Sequence, residues 1–406
     1  MVRPAKTIAH ILPWPSVGGT EQATLRLARA VASSYRSKIF CLSDAHAVSR
    51  MFSDEGFETV PYRPITPSYR HLNRFLRDSY ALSQEFKRNE IGVVHCADVL
   101  AGFYAAVAGR MANLPVLCHV RNRYEDLRRH DALFLRAVNK FIFVSHDTRR
   151  RFACRVSPRK AQIIHDGIRV PRGVSDPSAA HETRKTVRAE FGLPERTKIV
   201  GMVARVAPQK DYETLAHAAA TIAAVHPYVR FLIVGDNSLE QVHREHYLKI
   251  KHALVELGVD PLFVFTGFRR DVGRLIAAMD VFVLSTHLEG FPLVILEALA
   301  RAKPVVATAV DGIPEIIVDG VTGRLFAPRD YQGLAAQVIS LLDSEEYAVR
   351  LGEAGRSTVE SDFSSERFAA SMLDLYDRVL HCQASQFAGA QHTPTNFKVQ
   401  KSMANE

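Results

Sequence analysis

Short, continuous apolar runs recur along the chain. Each is closed by polar or glycine-rich residues and followed by a stretch of helical periodicity. In the first half, residues 7–12, 91–95, 115–120, 141–145 and 161–165 read as strands. Between them, residues 21–31 set Leu25, Leu27, Ala28 and Val31 on one face of an amphipathic helix, and residues 99–111 form a helix of small side chains. The second half opens with helical sequence around residues 182–191. Strands follow at 198–204, 231–234, 262–266, 281–285, 305–308 and 323–326, with helices between and two closing helices at 331–342 and 363–381. Strand, loop and helix in units of about 25–30 residues predict parallel sheets. Residues 166–184, rich in Pro, Gly, Ser and Asp, separate the halves. The pattern therefore predicts an α/β domain at 1–170, a linker at 171–185, a second α/β domain at 186–360, a last helix at 361–382, and a cleft between the domains. Residues 383–406 are polar and without period, which predicts a disordered tail.

Composition adds exclusions. Of the 406 residues 47% are hydrophobic and 23% charged, ordinary for a globular protein. No apolar run reaches the roughly 18–20 residues of a membrane helix, and the stretch 8–12 is too short for a signal peptide. The five cysteines are scattered without a CxxC pair, which points to free thiols in a reducing compartment such as the cytoplasm. The net charge of +9 is uneven: residues 1–185 hold 30 basic and 16 acidic residues, a surplus of 14, and the remainder is net acidic by 5. A basic half suits an anionic partner, but no nucleic-acid motif or aromatic stacking platform accompanies it. Arg70, Arg74 and Arg77, interleaved with Leu72, Phe75 and Leu76, and Arg121, Arg123, Arg128, Arg129 and Arg136, near Leu127, Leu133, Phe134 and Leu135, form two basic amphipathic stretches. They fit either an anionic membrane surface or solvated helix faces that pack inward.

The stretch of residues 279–330 carries the chemistry. A strand ends at Ser285, Glu289 and Gly290 form a loop, Pro292 suits the first turn of a helix, and Glu297 lies inside that helix. A free helix N-terminus beside two carboxylates can hold an anion and accept hydrogen bonds from sugar hydroxyls. Pro304, Gly312-Ile313-Pro314-Glu315 and Asp319-Gly320 punctuate the following βα units. Arg205 and Lys210 lie on the loop after the first strand of the second half. Gly18-Gly19 joins the first strand to the first helix, as a ligand loop or a flexible turn. His119, Arg121 and Asp98 end strands or open loops of the first half, and a strand-end histidine is as readily structural as functional. His243 and His246 sit three apart on a charged helix; with no third ligand in view the spacing reads as a solvated face, and no metal site is expected. No GxGxxG opens either half, and no Gly-Lys pair allows a P-loop.

Residues 285–330 resemble the C-terminal signature of retaining glycosyltransferases of family 4, and the resemblance extends loosely from Ile8 to Leu380. It implies an α/β architecture of the GT-B type: two doubly wound Rossmann-like domains facing each other across a cleft, the last helix crossing back onto the first. It implies transfer of a hexosyl-type sugar, with retention and without metal or cofactor, from a UDP- or GDP-sugar to a glycan or lipid-linked acceptor. Glu289 would act at the donor sugar, and His119 at the donor sugar or the acceptor. Arg205 and Lys210 would neutralise the diphosphate, Glu297 would take the ribose, and Gly19 with the backbone of Gly290, Phe291, Leu293 and Val294 would line the donor site. Glu315 would be a helix-start acid with a secondary role near the base. The chain departs from the family at Ala204, Asp211 and Asp166. An epimerase or phosphorylase of similar fold, or an inactive sugar-nucleotide-binding protein, are the alternatives.

Overall fold

The computed structural model describes residues 6–127, 131–172, 177–237 and 240–390. Seven strands, β1 (Thr7–Ile11), β2 (Arg36–Leu42), β3 (Glu58–Tyr62), β4 (Ile91–Cys96), β5 (Val116–Val120), β6 (Lys140–Phe143) and β7 (Ala161–Ile163), form one sheet in the order β3-β2-β1-β4-β5-β6-β7. Six more, β8 (Lys198–Val203), β9 (Val229–Val234), β10 (Phe263–Phe265), β11 (Val281–Leu284), β12 (Val305–Thr308) and β13 (Arg324–Phe326), form a second in the order β10-β9-β8-β11-β12-β13. Every neighbouring pair is parallel. Helices cover both faces, so the central strands are buried throughout and read in sequence as unbroken apolar runs.

Strand order reverses between β1 and β4 in one sheet and between β8 and β11 in the other. Ligands of doubly wound sheets bind beyond the strand ends at such reversals. The loops that leave these four strands carry Gly18-Gly19, Asp98, Arg205 with Lys210, and Glu289.

Two boundaries differ from the sequence expectation. The helix Pro177–Glu190 begins inside the stretch read as linker. Val187 is fully buried in the second domain's core, and Glu190 pairs with Arg269 and Arg274, so the part already read as helical is anchored, and the helix extends from it back to Pro177. The final helix, Ser365–Ala390, runs on past Cys382, its expected end, into the stretch read as a tail; residues 391–406 lie outside the described residues.

That helix returns to the first domain. Phe368, Met372, Leu375, Tyr376, Val379 and Leu380 pack on Ile8, Leu27, Val93 and Leu117. Its entry is tied by Ile168 N–H donating to Phe363 O and Ser365 N–H donating to Ile168 O. Gly167 lies so close to the Ser364 carbonyl that any side chain there would overlap it.

Candidate active site

In the second domain the loops after β8 and β11 are stitched together. Asp211 N–H donates to Ser285 O, and His287 N–H and Thr286 Oγ1 both donate to Gln209 O. This holds the Lys210 ammonium against the Glu289 carboxylate, with both side chains largely buried. Asp211, which stands where the family favours glycine, caps the helix Tyr212–Val225 by accepting Thr214 N–H at 3.1 Å and Thr214 Oγ1–H at 2.7 Å. Arg205 shares the loop but is exposed. Pro292 is the extended N-cap (φ −74°, ψ 104°) of the helix Leu293–Leu299 rather than its first turn. The N–H groups of Leu293 and Val294 lie in that first turn, where no intrahelical acceptor exists.

The first domain contributes a buried polar group. Gly18 N–H donates to Glu21 Oε2 at 2.9 Å, with the helix Gly19–Val31 starting behind it. Glu21 is 2% exposed, and burial, reinforced by the charge of Asp98, pushes its carboxyl up to about 7 against the pull of Gly18 N–H and Arg121. The Asp98 carboxylate accepts from Leu100 N, Asn122 Nδ2 and the Tyr124 hydroxyl, and burial raises its pKa as well. His119 is fully buried, and burial with the adjacent Arg121 guanidinium pushes its pKa well below the usual histidine range. Arg121 forms a buried ion pair with Asp166, so Asp166 serves as a counter-charge and not only as a turn residue.

The two halves meet across these residues. Arg26, on the first helix, pairs with Glu297; Arg123 pairs with Asp311, whose carboxylate also accepts Glu289 N–H at 2.8 Å. Glu297, expected at a ribose, is thus engaged by a cation of the opposite domain. Gly290 lies against the carbonyl oxygen of Arg121, where a side chain would overlap it. Phe291 is 7% exposed and stacks on His165 with ring centroids 5.0 Å apart, so its ring packs the interface. Glu315 serves a helix start, as expected, but one in the opposite domain: its carboxylate accepts the His146 and Asp147 N–H groups and faces His165, which makes it an interdomain latch. Glu21 Oε1, Arg26 Nη1, His119 Nε2, Arg121 Nε and Asp166 Oδ1 are buried without a hydrogen-bond partner. Buried orphan polar atoms are costly and uncommon. These five lie where the two switch points face each other, which makes this ground the candidate ligand site.

Other sequence expectations resolve differently. His243 and His246 are buried, not solvated; His243 faces Asp236 and His246 packs near the Tyr212 ring, because their helix turns that side onto the sheet layer. Asp211, Glu213 and His287 bring metal-ligating atoms within 4.8 Å of one another, a grouping hidden in sequence by the span between Glu213 and His287. Asp211 caps the helix Tyr212–Val225 and Glu213 pairs with Lys249, so two of the three groups already have protein partners. Arg121 and Arg123 are engaged in ion pairs and do not form a free basic surface, whereas Arg128 and Arg129 lie outside the described residues. Glu21 and Arg26 were missed because an acid and a base in an amphipathic helix look like solvated positions; the Glu beside Gly18-Gly19 was the only available signal.

Comparison with known proteins follows the same division. Residues 17–172 match the family model Glycosyltransferase Family 4, and residues 183–358 match Glycosyl transferases group 1. Spore coat protein SA of Bacillus subtilis is 26% identical over 387 residues, 90% of this chain and 97% of that protein. N-acetyl-alpha-D-glucosaminyl L-malate synthase of Bacillus anthracis is 31% identical over 194 residues, 48% of this chain; the match spans about half of that enzyme, 49%. Among solved structures, Anabaena Alr3699/HepE in complex with UDP-glucose aligns over 92% of this chain and 99% of that one, with a TM-score of 0.79 at 19% identity, a likeness of fold. Two matched models, one for each domain, and the shared architecture place this chain in the family 4 type of glycosyltransferases, with the GT-B fold.

Proposed function

We propose that the protein transfers a hexosyl-type sugar, with retention of anomeric configuration, from a UDP- or GDP-sugar to a glycan or lipid-linked acceptor. The observation that carries this reading is the facing of the two switch points, with Lys210 and Glu289 on one side, His119 and Gly18-Gly19 on the other, and orphaned polar atoms between. The solved relative with bound UDP-glucose supports the donor class. Lys210, Arg205 and the first-turn N–H groups of Leu293 and Val294 stabilise the leaving diphosphate as charge moves onto it. Glu289 orients the sugar, and the leaving phosphate helps take the acceptor proton. Protein cations do the work that a divalent ion does elsewhere, so no cofactor is invoked. Release of UDP or GDP from a panel of nucleotide sugars, with and without EDTA, tests the reading. Absence of release with every donor refutes it, and loss of activity in EDTA restored by manganese refutes the metal-free mechanism.

We place the reaction in the cytoplasm, with the first domain resting on an anionic membrane face. Among the described residues no helix is long and apolar enough to cross a membrane. On the helix Leu72–Arg88, Phe75 packs inward, while Leu72, Leu76 and Tyr80 are exposed beside Arg74 and Arg77, with Tyr69 and Arg70 just before. Exposed apolar side chains among cations suit adsorption to anionic lipid.

A further inference from the structure

Three buried side chains from three distant stretches of sequence form a hydrogen-bonded row in the first domain. Tyr376 Oη lies 2.6 Å from His95 Nδ1, and His95 Nε2 lies 2.9 Å from His119 Nδ1. The two imidazoles stack with centroids 5.0 Å apart, and none of the three residues is more than 1% exposed. Tyr376 belongs to the C-terminal helix. It is braced there by the edge of the Tyr35 ring at 5.5 Å, and Tyr35 in turn donates its hydroxyl proton to Asp377 on the same helix.

A fourth group fixes the direction of the row. Arg121 Nη2 lies 3.4 Å from His119 Nδ1, and a guanidinium can only donate. Nδ1 of His119 must therefore present its lone pair, since a proton there would face the guanidinium protons. Complete burial beside that cation keeps the ring neutral, so its single proton sits on Nε2. With His119 Nδ1 accepting, His95 must donate from Nε2, which leaves His95 Nδ1 bare. Tyr376 must then donate its hydroxyl proton to His95 Nδ1. Every link points the same way, from the C-terminal helix toward the cleft. The row ends at His119 Nε2, which is buried and without a partner.

We infer that Arg121 is a positioning residue that fixes His119 in the neutral Nε2–H tautomer, with His95 and Tyr376 completing the row, so that His119 offers a hydrogen-bond donor to an oxygen of the bound sugar. His119 in this state cannot take the acceptor's proton: its only free lone pair is committed to His95 and Arg121. It holds the sugar, and its part in the reaction is that of a donor and not a general base. The identity of the oxygen rests on the glycosyl-transfer reading; the tautomer does not.

Nitrogen-15 labelling of the histidines of the full chain, with long-range proton–nitrogen correlation near pH 7.5 and assignment by His119→Gln, reads the tautomer directly. The expected result is a protonated Nε2 and a bare Nδ1 on both His95 and His119 in the unsubstituted protein. Arg121→Met removes the guanidinium and should turn His119 into a mixture of tautomers, whereas Tyr376→Phe should leave the His119 tautomer unchanged. Arg121→Met should also lower turnover at least about fivefold, the loss expected from one neutral hydrogen bond. A proton on His119 Nδ1 in the unsubstituted protein overturns the proposal without any variant having to fold. An unchanged His119 spectrum in Arg121→Met overturns the role of Arg121. If the tautomer is as stated but UDP-glucose, GDP-glucose and their free diphosphates all leave the His119 Nε2 resonance unshifted, the sugar contact is overturned, and nucleotide release from the donor panel then judges the glycosyl-transfer reading separately.

Discussion

Glu289 and Glu297 lie eight positions apart in sequence yet face different cations: Lys210 of the same domain and Arg26 of the other. Their substitution effects should differ accordingly. Glu289→Gln keeps the shape but loses the charge beside Lys210, and turnover should fall about a hundredfold, the scale of losing one group that stabilises the transition state. Glu297→Gln should chiefly weaken nucleotide binding, by about 1.5–3 kcal/mol if it accepts ribose hydroxyls. Steady-state kinetics and UDP or GDP titration check both, and original turnover in both variants sinks the assignment. The site's carboxylates were legible at this scale because Glu289 and Glu297 flank a glycine, a proline and an apolar helix. Glu21 was not, since its 2% exposure arises only in the packed domain, although its tie to Gly18 N–H is a local cap of the first helix.

At the scale of elements, the two loops of the second domain form one platform through Gln209, Ser285, Thr286 and His287. Lys210 is held in that platform and Arg205 is exposed beside it. Lys210→Ala should therefore raise the dissociation constant for UDP or GDP more than Arg205→Ala, with little change in melting temperature for either; the reverse ranking would show that Arg205 is the principal phosphate contact. Gly290 is the point where the platform touches the first domain, against Arg121 O. Gly290→Ala should force the domains apart at that contact. A misplacement of about 1 Å costs on the order of a hundredfold in rate, so kcat/KM should drop by that order while each domain still melts cooperatively. Undiminished kcat/KM would mean that this contact does not set the catalytic spacing.

Across the whole molecule, two consequences follow from what the first domain buries and exposes. His10 is held down to about 3 by burial, and His95 and His119 are held well below 6.5 by burial with the charges of Arg121 and neighbouring histidines. The unfolded chain takes up these protons near pH 6.5 and the folded chain does not, so stability is present above that pH and is lost as pH falls below it. Glu21, raised to about 7, and Asp98, also raised, act in the opposite sense, keeping protons that the unfolded chain releases. Three histidines outnumber two carboxyls, and each unmatched proton is worth about 1.4 kcal/mol per pH unit. Denaturant midpoints should fall from pH 7 to pH 5.5; equal or higher midpoints at pH 5.5 would contradict this balance. The second consequence concerns the exposed face of Leu72–Arg88. Binding to anionic vesicles should be salt-sensitive and should weaken when Arg70, Arg74 and Arg77 become Ser. Failure to co-sediment at low salt would remove the membrane from the proposal.

The local pattern of the chain determined most of its elements by itself. Continuous apolar runs followed by helical stretches are the mark of strands buried on both faces, and only a parallel sheet with helices on both sides supplies that environment. Residues 32–67 hold β2 and β3, neither of which was expected, although Ile39-Phe40-Cys41-Leu42 of β2 is a buried apolar run. There β3 is a half-exposed edge strand containing Pro61, and an edge strand needs neither an apolar run nor a full set of N–H donors. The tertiary structure alone decided which charges pair across the cleft. Arg26 with Glu297, Arg121 with Asp166, Glu315 with the His146 turn, and Tyr376 with His95 and His119 are joined by packing of elements far apart in the chain. Sequence periodicity reports which face of an element is buried, but not which partner buries it, and for a polar side chain the partner decides its protonation and its role.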